Sequence, residues 1–550
     1  MLGLMQDWPL LCHRIIDHAA KFHAGRKVIS RSVEGPIVET TYAEIRMRAL
    51  KVAKRLEKDG IRLGDRIATM CWNTARHLEV WYGILGLGAI YHTVNPRLFS
   101  EQICWIINHA EDRMMFVDLT FLPALEKAIE NNPGALKTIE RYVILTDGAH
   151  MPPTNLKNAV AYEDWIAEVD DDFTWKEFDE NTAAGMCYTS GTTGHPKGVL
   201  YSHRSNVLHA FMASLPDSKG ISSRDVVLPV VPFFHANGWS LAFSCPMTGA
   251  SLVMPGAKMD GPSIYELLNT YKVTFTAAVP TVWLMLLQDL EKTGEKLPYL
   301  KRVVIGGSAC PRAMAKTFEE QYGVEVVHAW GMTEMSPLGA LCSMKPEYAA
   351  LTGEARLDIQ QKQGHPPFGV EMKITDDAGK ELPWDGKTFG RLKVRGPAVA
   401  KAYYKDESNE AFDQDGWFDT GDVATIDPYG YMQVTDRAKD VIKSGGEWIS
   451  SIDLENLAVG HPKVAEAAVI GVAHPKWDER PLLVIVLKKG ENATKEELLG
   501  FMQGKIAKWW LPDDVVFVDE IPHTATGKIQ KLTLRQQFKD YVLPTVQAAE

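Results

Sequence analysis

Cysteine is scarce in this chain, with seven residues in 550, and no two of them form a C-x-x-C pair. A disulfide framework and a structural zinc site both need cysteines in closely spaced sets, so this distribution argues against both. Scattered thiols in odd number are typical of a protein kept in a reducing compartment. We therefore expect a cytoplasmic protein.

An excess of positive charge is also missing, because 70 acidic residues outweigh 59 basic ones and the formal net charge is -11. Nucleic-acid binding depends on basic surfaces that displace counterions from phosphates, so this balance argues against a nucleic-acid partner. Any anionic ligand must then be held by a local group of basic side chains.

No hydrophobic run is long enough to cross a bilayer. The most apolar stretch, Trp239 to Met254, is interrupted by Pro246 and Gly249 and is shorter than the roughly 20 residues that a spanning helix needs. The N-terminus has an acid, Asp7, ahead of any base and lacks a small-residue cleavage site, so it does not resemble a signal peptide. We expect it to form an amphipathic helix and the protein to have no membrane span.

Short β-rich runs alternate with helical patterns before residue 360. Buried strands are predicted at 65–72, 111–118, 140–147, 272–279, 300–307 and 324–330. Helices are predicted between them at Ala75–Leu87, Thr281–Leu290 and Arg312–Tyr322. Such alternation implies crossover connections and largely parallel sheets, which is the α/β class. Ligands of these sheets bind beyond the carboxyl ends of strands, so functional residues are expected there.

The pattern changes after about residue 360. Residues 369–432 contain short segments separated by turns, which is typical of a small β-rich subdomain, and D-P-Y-G at 427–430 reads as one such turn. Beyond residue 440 the patterns describe a smaller α+β unit. We therefore predict two domains, residues 1–436 and residues 437–550, with their boundary near Lys439.

Residues 188–198 read Y-T-S-G-T-T-G-H-P-K-G, a segment rich in glycine and hydroxyl side chains. A strand-like segment, 185–188, precedes it, and a helical pattern at 207–215 follows it. The order strand, loop, helix suits a phosphate-binding loop, because free N–H groups and hydroxyls converge on an anion there. It is not a Walker A loop, since Pro196 precedes the lysine and Gly198 follows it. Taken alone, the segment would more simply be a polar surface loop.

Seven further segments follow this loop in order along the chain. They are P-F-F-H-A-N-G-W (232–239), G-G-S-A (306–309), A-W-G-M-T-E (329–334), G-W-F-D-T-G-D (416–422), D-R-A-K-D (436–440), K-S-G-G-E-W-I (443–449) and P-H-T-A-T-G-K-I-Q-K (522–531). With the loop, they resemble the signature motifs of the adenylate-forming superfamily, which includes acyl-CoA synthetases, luciferases and amino-acid adenylation domains. Any one motif arises by chance, but eight in order identify the chain as a member.

The resemblance implies a two-step reaction that uses ATP, Mg²⁺ and coenzyme A. A carboxylate attacks the α-phosphate of ATP to give an acyl-adenylate and pyrophosphate, and the thiol of coenzyme A then displaces AMP. Charge neutralisation and positioning dominate such chemistry. The family has a large N-terminal domain and a mobile small C-terminal domain, which rotates between the two steps about a hinge matched here by Lys439.

Residue-by-residue matching implies a nucleotide site. The β- and γ-phosphates would be held by Thr189, Ser190, Gly191, Thr192, Thr193 and Lys197. Glu334 matches the Mg²⁺ ligand, Thr333 a residue near the α-phosphate, and Lys528 a lysine that reaches the α-phosphate during adenylation. The remaining nucleotide-binding set is Ser308, Ala309, Ala329, Trp330, Gly331, Met332, Asp422 and Arg437, with the ring of Trp330 near the adenine and the last two on the ribose. Without the resemblance, Glu334 would be an exposed acid, Asp422 a turn residue and Lys528 a solvated lysine.

The resemblance also implies positions for the other two substrates. Residues on the face turned toward the pantetheine of coenzyme A are Lys443, Gly445, Gly446 and Trp448. The acyl pocket would be lined by His235, Trp239, Gly306, Gly307 and Pro337. These motifs are most similar to the branch that holds medium-chain fatty acid and 3-methylmercaptopropionate-CoA ligases, so a short- to medium-chain acid is expected. Trp239 fits either a fixed wall or a gate.

Other functions remain open at this point. An amino-acid substrate is disfavoured, because His235 stands where adenylation domains carry an aspartate for the substrate amine. A long-chain acid, a luciferase-type oxygenase step and a non-catalytic nucleotide-binding protein on the same fold are the alternatives. Homodimers are frequent in the family, and the sequence leaves both a monomer and a homodimer open.

Overall fold

The computed structural model describes residues 1–189, 195–408, 410–445, 447–523 and 529–547. Its strands, in chain order, are β1 (Lys27–Arg31), β2 (Ile37–Thr41), β3 (Arg66–Met70), β4 (Ile90–Thr93), β5 (Met114–Val117), β6 (Arg141–Ile144), β7 (Val160–Ala161), β8 (Ala183–Tyr188), β9 (Gly198–Ser202), β10 (Val226–Pro229), β11 (Ser251–Met254), β12 (Phe275–Ala278), β13 (Arg302–Ile305), β14 (Glu325–Gly331), β15 (Leu338–Leu341), β16 (Glu371–Thr375), β17 (Gly390–Arg395), β18 (Phe418–Ile426), β19 (Met432–Arg437), β20 (Ile442–Ser444), β21 (Glu447–Ile449), β22 (Val464–His474), β23 (Asp478–Leu487) and β24 (Asp514–Phe517).

The α-helices occupy most of the connections between these strands. They are α1 (His13–Phe22), α2 (Tyr42–Lys58), α3 (Ala75–Leu87), α4 (Ser100–Ala110), α5 (Leu122–Asn131), α6 (Tyr162–Ala167), α7 (His203–Ser214), α8 (Leu241–Thr248), α9 (Gly261–Thr270), α10 (Pro280–Thr293), α11 (Arg312–Tyr322), α12 (Pro346–Ala349), α13 (Gly353–Gln360), α14 (Ser451–Val459), α15 (Lys495–Met502), α16 (Lys531–Gln537) and α17 (Pro544–Gln547). Within the described residues, no helix is long and apolar enough to cross a membrane.

Two large, mostly parallel sheets form the N-terminal part of the fold. The first has the strand order β15-β14-β13-β12-β10-β11-β1-β2, and the second has the order β7-β6-β5-β3-β4-β8-β9. Among the described strands of these two sheets, only the pairs β14–β15, β1–β2 and β8–β9 are antiparallel. Inner strands such as β13, with Val303, Val304 and Ile305 all buried, carry apolar side chains on both faces because helices cover both faces. The prediction of parallel α/β sheets is confirmed.

Two smaller sheets complete the fold. The third sheet is antiparallel, β16-β17-β18-β19, and its turn at Asp427 is closed by the N–H of Gly430, which donates to the Asp427 carbonyl over 2.8 Å. The fourth sheet, β21-β20-β23-β22 with β24 beside β23, packs with α14, α15 and α16. These are the small β-rich subdomain and the C-terminal α+β unit that the sequence predicts.

The structure corrects the predicted order around the glycine-rich loop. A strand, β9, follows the loop and pairs antiparallel with β8, so the loop joins two strands and α7 begins only at His203. The N–H of Thr189 donates to the Lys197 carbonyl over 2.9 Å, which closes the hairpin. Within the predicted helical pattern at 207–215, Phe211 is 53% exposed, so this apolar position lies outside the buried face of α7. Helical spacing from residue 207 concealed the preceding strand, whose five residues are too few for a clear pattern.

The N-terminal helix is shorter than predicted. It begins at His13, after a segment whose side chains at Leu2, Leu4 and Met5 are exposed. Pro9 lies just before the helix, where its ring disfavours helical geometry in the residue ahead of it. The amphipathic pattern is therefore correct only for the second half of the segment.

Candidate functional site

A cavity of about 520 Å³ lies at the carboxyl ends of β10, β13 and β14, against the third sheet and the residues around α16. Its position is the one expected for ligands of a parallel sheet. It brings together most of the sequence-predicted site residues, namely Thr189, Lys197, His235, Trp239, Gly306, Gly307, Ala329, Trp330, Gly331, Met332, Thr333, Glu334, Pro337, Arg437 and Lys439.

Other predicted residues lie elsewhere or outside the described part of the chain. Ser308, Ala309 and Asp422 are not among the lining residues. Ser308 and Ala309 directly follow the lining residue Gly307 in sequence, and Asp422 contacts the lining residues Trp330 and Arg437. Lys443, Gly445 and Trp448 lie on the β20–β21 hairpin of the fourth sheet, away from the cavity. The predicted positions outside the described residues are Ser190, Gly191, Thr192, Thr193, Gly446 and Lys528.

The Glu334 side chain is buried, and a hydrogen bond from a neighbouring tyrosine fixes its orientation. The hydroxyl of Tyr403 donates to Glu334 Oε1 over 2.7 Å, and the glutamate is only 5% exposed. Burial, together with the charge of Glu334, raises the pKa of Tyr403, which therefore remains a proton donor. The Nζ atom of Lys197 lies 4.6 Å from the centre of the Tyr403 ring and 3.1 Å from Asp406 Oδ2. A fixed carboxylate and a nearby ammonium thus face one cavity.

The oxygen donors of this site fit a divalent cation only in part. No group of three His, Cys, Asp or Glu side chains that could hold a metal occurs among the residues described. Mg²⁺ normally takes one or two carboxylates and completes its shell with water and phosphate oxygens. Glu334 therefore suits Mg²⁺ that arrives with a nucleotide, and the described part of the site does not hold the ligands of a permanent metal centre.

A polar triad joins the cavity to the third sheet. Trp330 Nε1 donates to Asp422 Oδ2 over 3.0 Å, and Arg437 Nε lies 3.0 Å from Asp422 Oδ1. Asp422 and Arg437 are directly opposite each other on β18 and β19, which explains how two residues distant in sequence meet. Gly339 lies beneath the indole, where a Cβ atom would approach Trp330 within 2.3 Å. The triad fixes the Trp330 ring at the cavity wall, with the buried Asp422 carboxylate hydrogen-bonded to it.

Trp239 forms another part of the cavity wall. A Cβ atom on Gly306 would lie 3.1 Å from Trp239 Cη2, and one on Gly307 would lie 4.0 Å from Trp239 Cζ2. The two glycines therefore provide the surface against which the indole packs. His235 lines the same region, which places all the predicted acyl-pocket residues in one cavity.

Hydrogen bonds and an ion pair connect the end of β19, just before Lys439, with α14 and α16, which follow it. Before it, Asp436 accepts hydrogen bonds from Ser451 N over 2.7 Å and from Ser451 Oγ over 2.6 Å. After it, Lys531 pairs with Glu455 over 2.7 Å and donates to Ser451 Oγ. Burial lowers the pKa of Lys439. These contacts hold α14 and α16 against the end of β19, with Lys531 at the cavity.

Sequence reasoning missed two cavity residues with strong local interactions. Tyr403, which orients Glu334, stands in a turn-rich segment where an aromatic residue gives no periodic signal. Lys219 lines the cavity yet comes from P-D-S-K-G, a pattern that reads as a surface loop. Only the three-dimensional packing places either side chain at the site.

Comparison with known proteins shows which family the chain resembles over most of its length. A family model described as AMP-binding enzyme matches residues 16–404, and one described as AMP-binding enzyme C-terminal domain matches residues 453–528. A 3-methylmercaptopropionyl-CoA ligase of Ruegeria lacuscaerulensis is 51% identical over 540 residues, 98% of this chain and 99% of the relative. A medium-chain-fatty-acid–CoA ligase of Ectopseudomonas oleovorans is 45% identical, over 99% of this chain and 98% of the relative.

Two further similar proteins are named for other acids. A long-chain-fatty-acid–CoA ligase of Thermus thermophilus is 44% identical, over 98% of this chain and 97% of the relative. The crystal structure of an anthranilate CoA ligase in complex with anthranoyl-AMP superposes with a TM-score of 0.84 at 26% identity, over 97% of this chain and 99% of the other.

Proposed function

The chain belongs to the family of AMP-binding enzymes, and from this premise we propose that it is an AMP-forming acyl-CoA ligase. It activates a carboxylic acid with ATP to an acyl-adenylate and transfers the acyl group to coenzyme A, with Mg²⁺ as the cation. The observation that carries this proposal is the cavity shared by Glu334, Lys197, Trp330, Arg437 and Trp239.

In the first step, the cavity residues act on a nucleotide and an acid held together. Lys197 and the hydroxyl of Thr189 would meet the phosphates, and Glu334, oriented by Tyr403, would hold Mg²⁺, which would supply positive charge to the phosphate oxygens. The Trp330 ring would lie near the adenine, and Asp422 and Arg437 would meet the ribose. Preorganised charges of this kind lower the barrier because they do not have to reorganise during the reaction.

In the second step, coenzyme A must reach the acyl-adenylate. We propose that residues 437–550 rotate as a domain about Lys439, so that the hairpin bearing Lys443, Gly445 and Trp448 replaces the segment around Lys531 at the cavity. That hairpin lies away from the cavity in the present arrangement, whereas residues 529–532 line it. The arrangement described here is therefore the one suited to adenylation, with Lys528 next to the lining residues in sequence.

The acid is a short- to medium-chain carboxylate, such as 3-methylmercaptopropionate or a medium-chain fatty acid. The Trp239 indole packed on Gly306 limits the depth of the pocket, and the nucleotide must share the cavity. Relatives at 51% and 45% identity carry names with acids of this size. A long-chain acid is the second candidate, because the relative at 44% identity is named for one.

A panel of acids from propionate to palmitate, including methylthio acids, tests this assignment in wild type and Trp239→Ala. We expect the highest kcat/KM with short or medium acids and a shift toward longer acids in the variant, since an indole that closes the pocket is removed. If palmitate were the best substrate and Trp239→Ala left the chain-length profile unchanged, the short-pocket assignment would be wrong.

A further inference from the structure

The turn that carries Trp239 has an unusual backbone. Ala236, Asn237, Gly238, Trp239 and Ser240 all have positive φ, between 36° and 66°. Left-handed geometry costs about 1–2 kcal/mol for each residue that has a Cβ atom, so surrounding contacts must hold four of these five residues. Strain of this kind persists only where the structure around it is strongly determined.

Three contacts hold the first part of the turn. Thr93 Oγ1 donates to Asn237 Oδ1 over 3.1 Å, and Asn237 Nδ2 donates to the Tyr91 hydroxyl over 3.1 Å. Gly238 lies against Phe233, whose Cδ1 atom would be 2.3 Å from a Cβ atom at that position. These contacts fix Asn237 and Gly238, and they leave the carbonyl of Trp239 to be held by another group.

That group is Lys219, whose Nζ atom donates a hydrogen bond to the Trp239 carbonyl. The lysine is 2% exposed and reaches the turn from the loop after α7. Its own backbone is fixed at both ends, because its N–H donates to the Ala213 carbonyl over 3.1 Å and its carbonyl accepts from Arg302 Nη1 over 2.9 Å. The side chain is thus anchored before it enters the interior.

A buried lysine in this position is costly to the fold. Across the described parts of the chain, no carboxylate lies within ion-pair distance of Lys219. Burial lowers its pKa to about 7, with Cys245 on α8 acting in the opposite direction and His209 on α7 as the other titratable neighbour. An apolar side chain would avoid this desolvation cost, so the amine must make an interaction that offsets it.

We propose that Lys219 is a positioning and specificity-determining residue of the acyl cavity, which holds the Trp239 indole in place through the carbonyl of the left-handed turn. It lines the same cavity as Trp239 and Gly306, so its contact with the turn lies at the cavity wall. An indole held in this place disfavours long alkyl chains. The inference rests on the proposed acyl-CoA ligase activity and extends it to the choice of acid.

The test compares Lys219→Met with wild type on butanoate and octanoate. We expect the octanoate-to-butanoate ratio of kcat/KM to rise about tenfold, the lower end of the discrimination that a hydrophobic pocket makes for one methylene, through KM for the acid, with KM for ATP unchanged. Lys292→Met, a change at an exposed lysine of α10, is the matched control and should keep the wild-type ratio.

A double-mutant cycle with Trp239→Ala tests whether the lysine acts through the indole. If it does, Lys219→Met should change the ratio little once the indole is absent. An unchanged ratio in the single variant, full additivity in the double variant, or an equal loss for both acids and for ATP would each overturn the proposal. Wild type that made no acyl-CoA from any acid would instead refute the ligase activity itself.

Thermal midpoints at pH 6 and pH 9.5 show whether Lys219→Met is folded. They also show whether the wild-type amine is buried without a carboxylate partner. The folded-state pKa of Lys219 is about 7, below the value of about 10.4 in an unfolded chain. Its cost to stability is therefore full below pH 7 and fades as pH rises toward 10.4. The variant should gain more stability over wild type at pH 6 than at pH 9.5, and the reverse order would contradict the burial argument.

Discussion

Glu334 illustrates how packing changes the meaning of a residue. Without its neighbours in the motif it reads as an exposed acid, whereas in the structure it is 5% exposed and accepts a hydrogen bond from Tyr403. The hydroxyl removes rotational freedom from the carboxylate, and Lys197 lies beside the same ring. A fixed negative charge near an ammonium suits a cation carried by phosphates.

Glu334→Gln should therefore lose adenylation by about 10²- to 10³-fold, because an amide holds Mg²⁺ poorly and a preorganised charge is removed. ATP–pyrophosphate exchange at saturating Mg²⁺ measures this. Tyr403→Phe keeps the carboxylate and should lose only about tenfold, the cost of one hydrogen bond to a charged group. Exchange at the wild-type rate in Glu334→Gln would assign the cation to other ligands.

Asp118 offers a residue-scale prediction away from the cavity. It lies after β5 and is 1% exposed, and its Oδ2 atom accepts a hydrogen bond from the backbone N–H of Trp72 over 2.5 Å. Burial raises its pKa to about 7, compared with about 3.9 in an unfolded chain. Its protonated form stabilises the fold below pH 3.9, and this contribution is lost as pH rises to 7.

Asp118→Asn does not titrate and its amide oxygen can still accept from Trp72 N–H. The thermal midpoint of this variant, measured relative to wild type, should therefore increase between pH 4.5 and pH 7.5, with acyl-CoA formation retained. A midpoint difference that stayed constant over this range would mean that the Asp118 pKa is not raised in the fold.

The sequence predicted residues that stand in motifs and missed those that act through packing. Trp239, Gly306 and Glu334 could be placed in one cavity because their motifs carry a family resemblance. Tyr403 and Lys219 could not, because one aromatic residue in a turn and one lysine after a serine give no pattern. Contacts between residues distant in the chain decide their roles.

At the scale of elements, long periodic segments were predicted well. Helices Ala75–Leu87 and Arg312–Tyr322 have the predicted bounds, because their apolar positions keep helical spacing over three turns. The strand β9 was missed, since five residues between a loop and a helix offer too short an alternation. The predicted order strand, loop, helix is therefore wrong. The strand that follows the loop, β9, pairs with β8, and helix α7 comes only after β9.

The segment around Lys439 carries the element-scale prediction. Rotation about it must break the hydrogen bonds between Asp436 and Ser451, which join the end of β19 to the start of α14. Lys439→Pro restricts φ at the joint, so it should slow thioester formation and leave adenylate formation near the wild-type rate. Each half-reaction is followed separately, by pyrophosphate release and by acyl transfer from preformed acyl-adenylate.

Lys439→Ala is the matched control for this hinge prediction. It removes the same side chain and leaves φ free, so any loss that it shares with Lys439→Pro belongs to the side chain. If the two variants slowed thioester formation equally, restricted rotation would not be the cause.

At the scale of the whole molecule, the sequence predicted parallel α/β sheets, a β-rich subdomain and a small C-terminal α+β unit, and the described residues form two large, mostly parallel sheets and two smaller ones. What it could not supply is their mutual arrangement, in which residues 529–532 reach a cavity formed mainly by residues 189–440. That arrangement depends on buried contacts between the two parts, such as those of Ser451 with Asp436, which no local pattern predicts.

The two-step account makes a whole-molecule prediction for Lys528, which lies outside the described residues. Lys528→Ala should lose adenylation by about 10²- to 10³-fold, because one charge donor is removed, while acyl transfer from preformed acyl-adenylate stays near the wild-type rate. Quenched assays of each half-reaction measure this. Equal losses in both would point to misfolding or to a C-terminal unit that does not rotate.

The most direct test of the central claim is product analysis of one reaction. The protein is incubated with ATP, Mg²⁺, coenzyme A and 3-methylmercaptopropionate or hexanoate, and nucleotides, phosphates and thioesters are quantified, with EDTA as the metal-free control. An AMP-forming ligase should yield AMP, pyrophosphate and acyl-CoA in equal amounts and nothing with EDTA. ADP and phosphate in place of AMP and pyrophosphate would contradict the account.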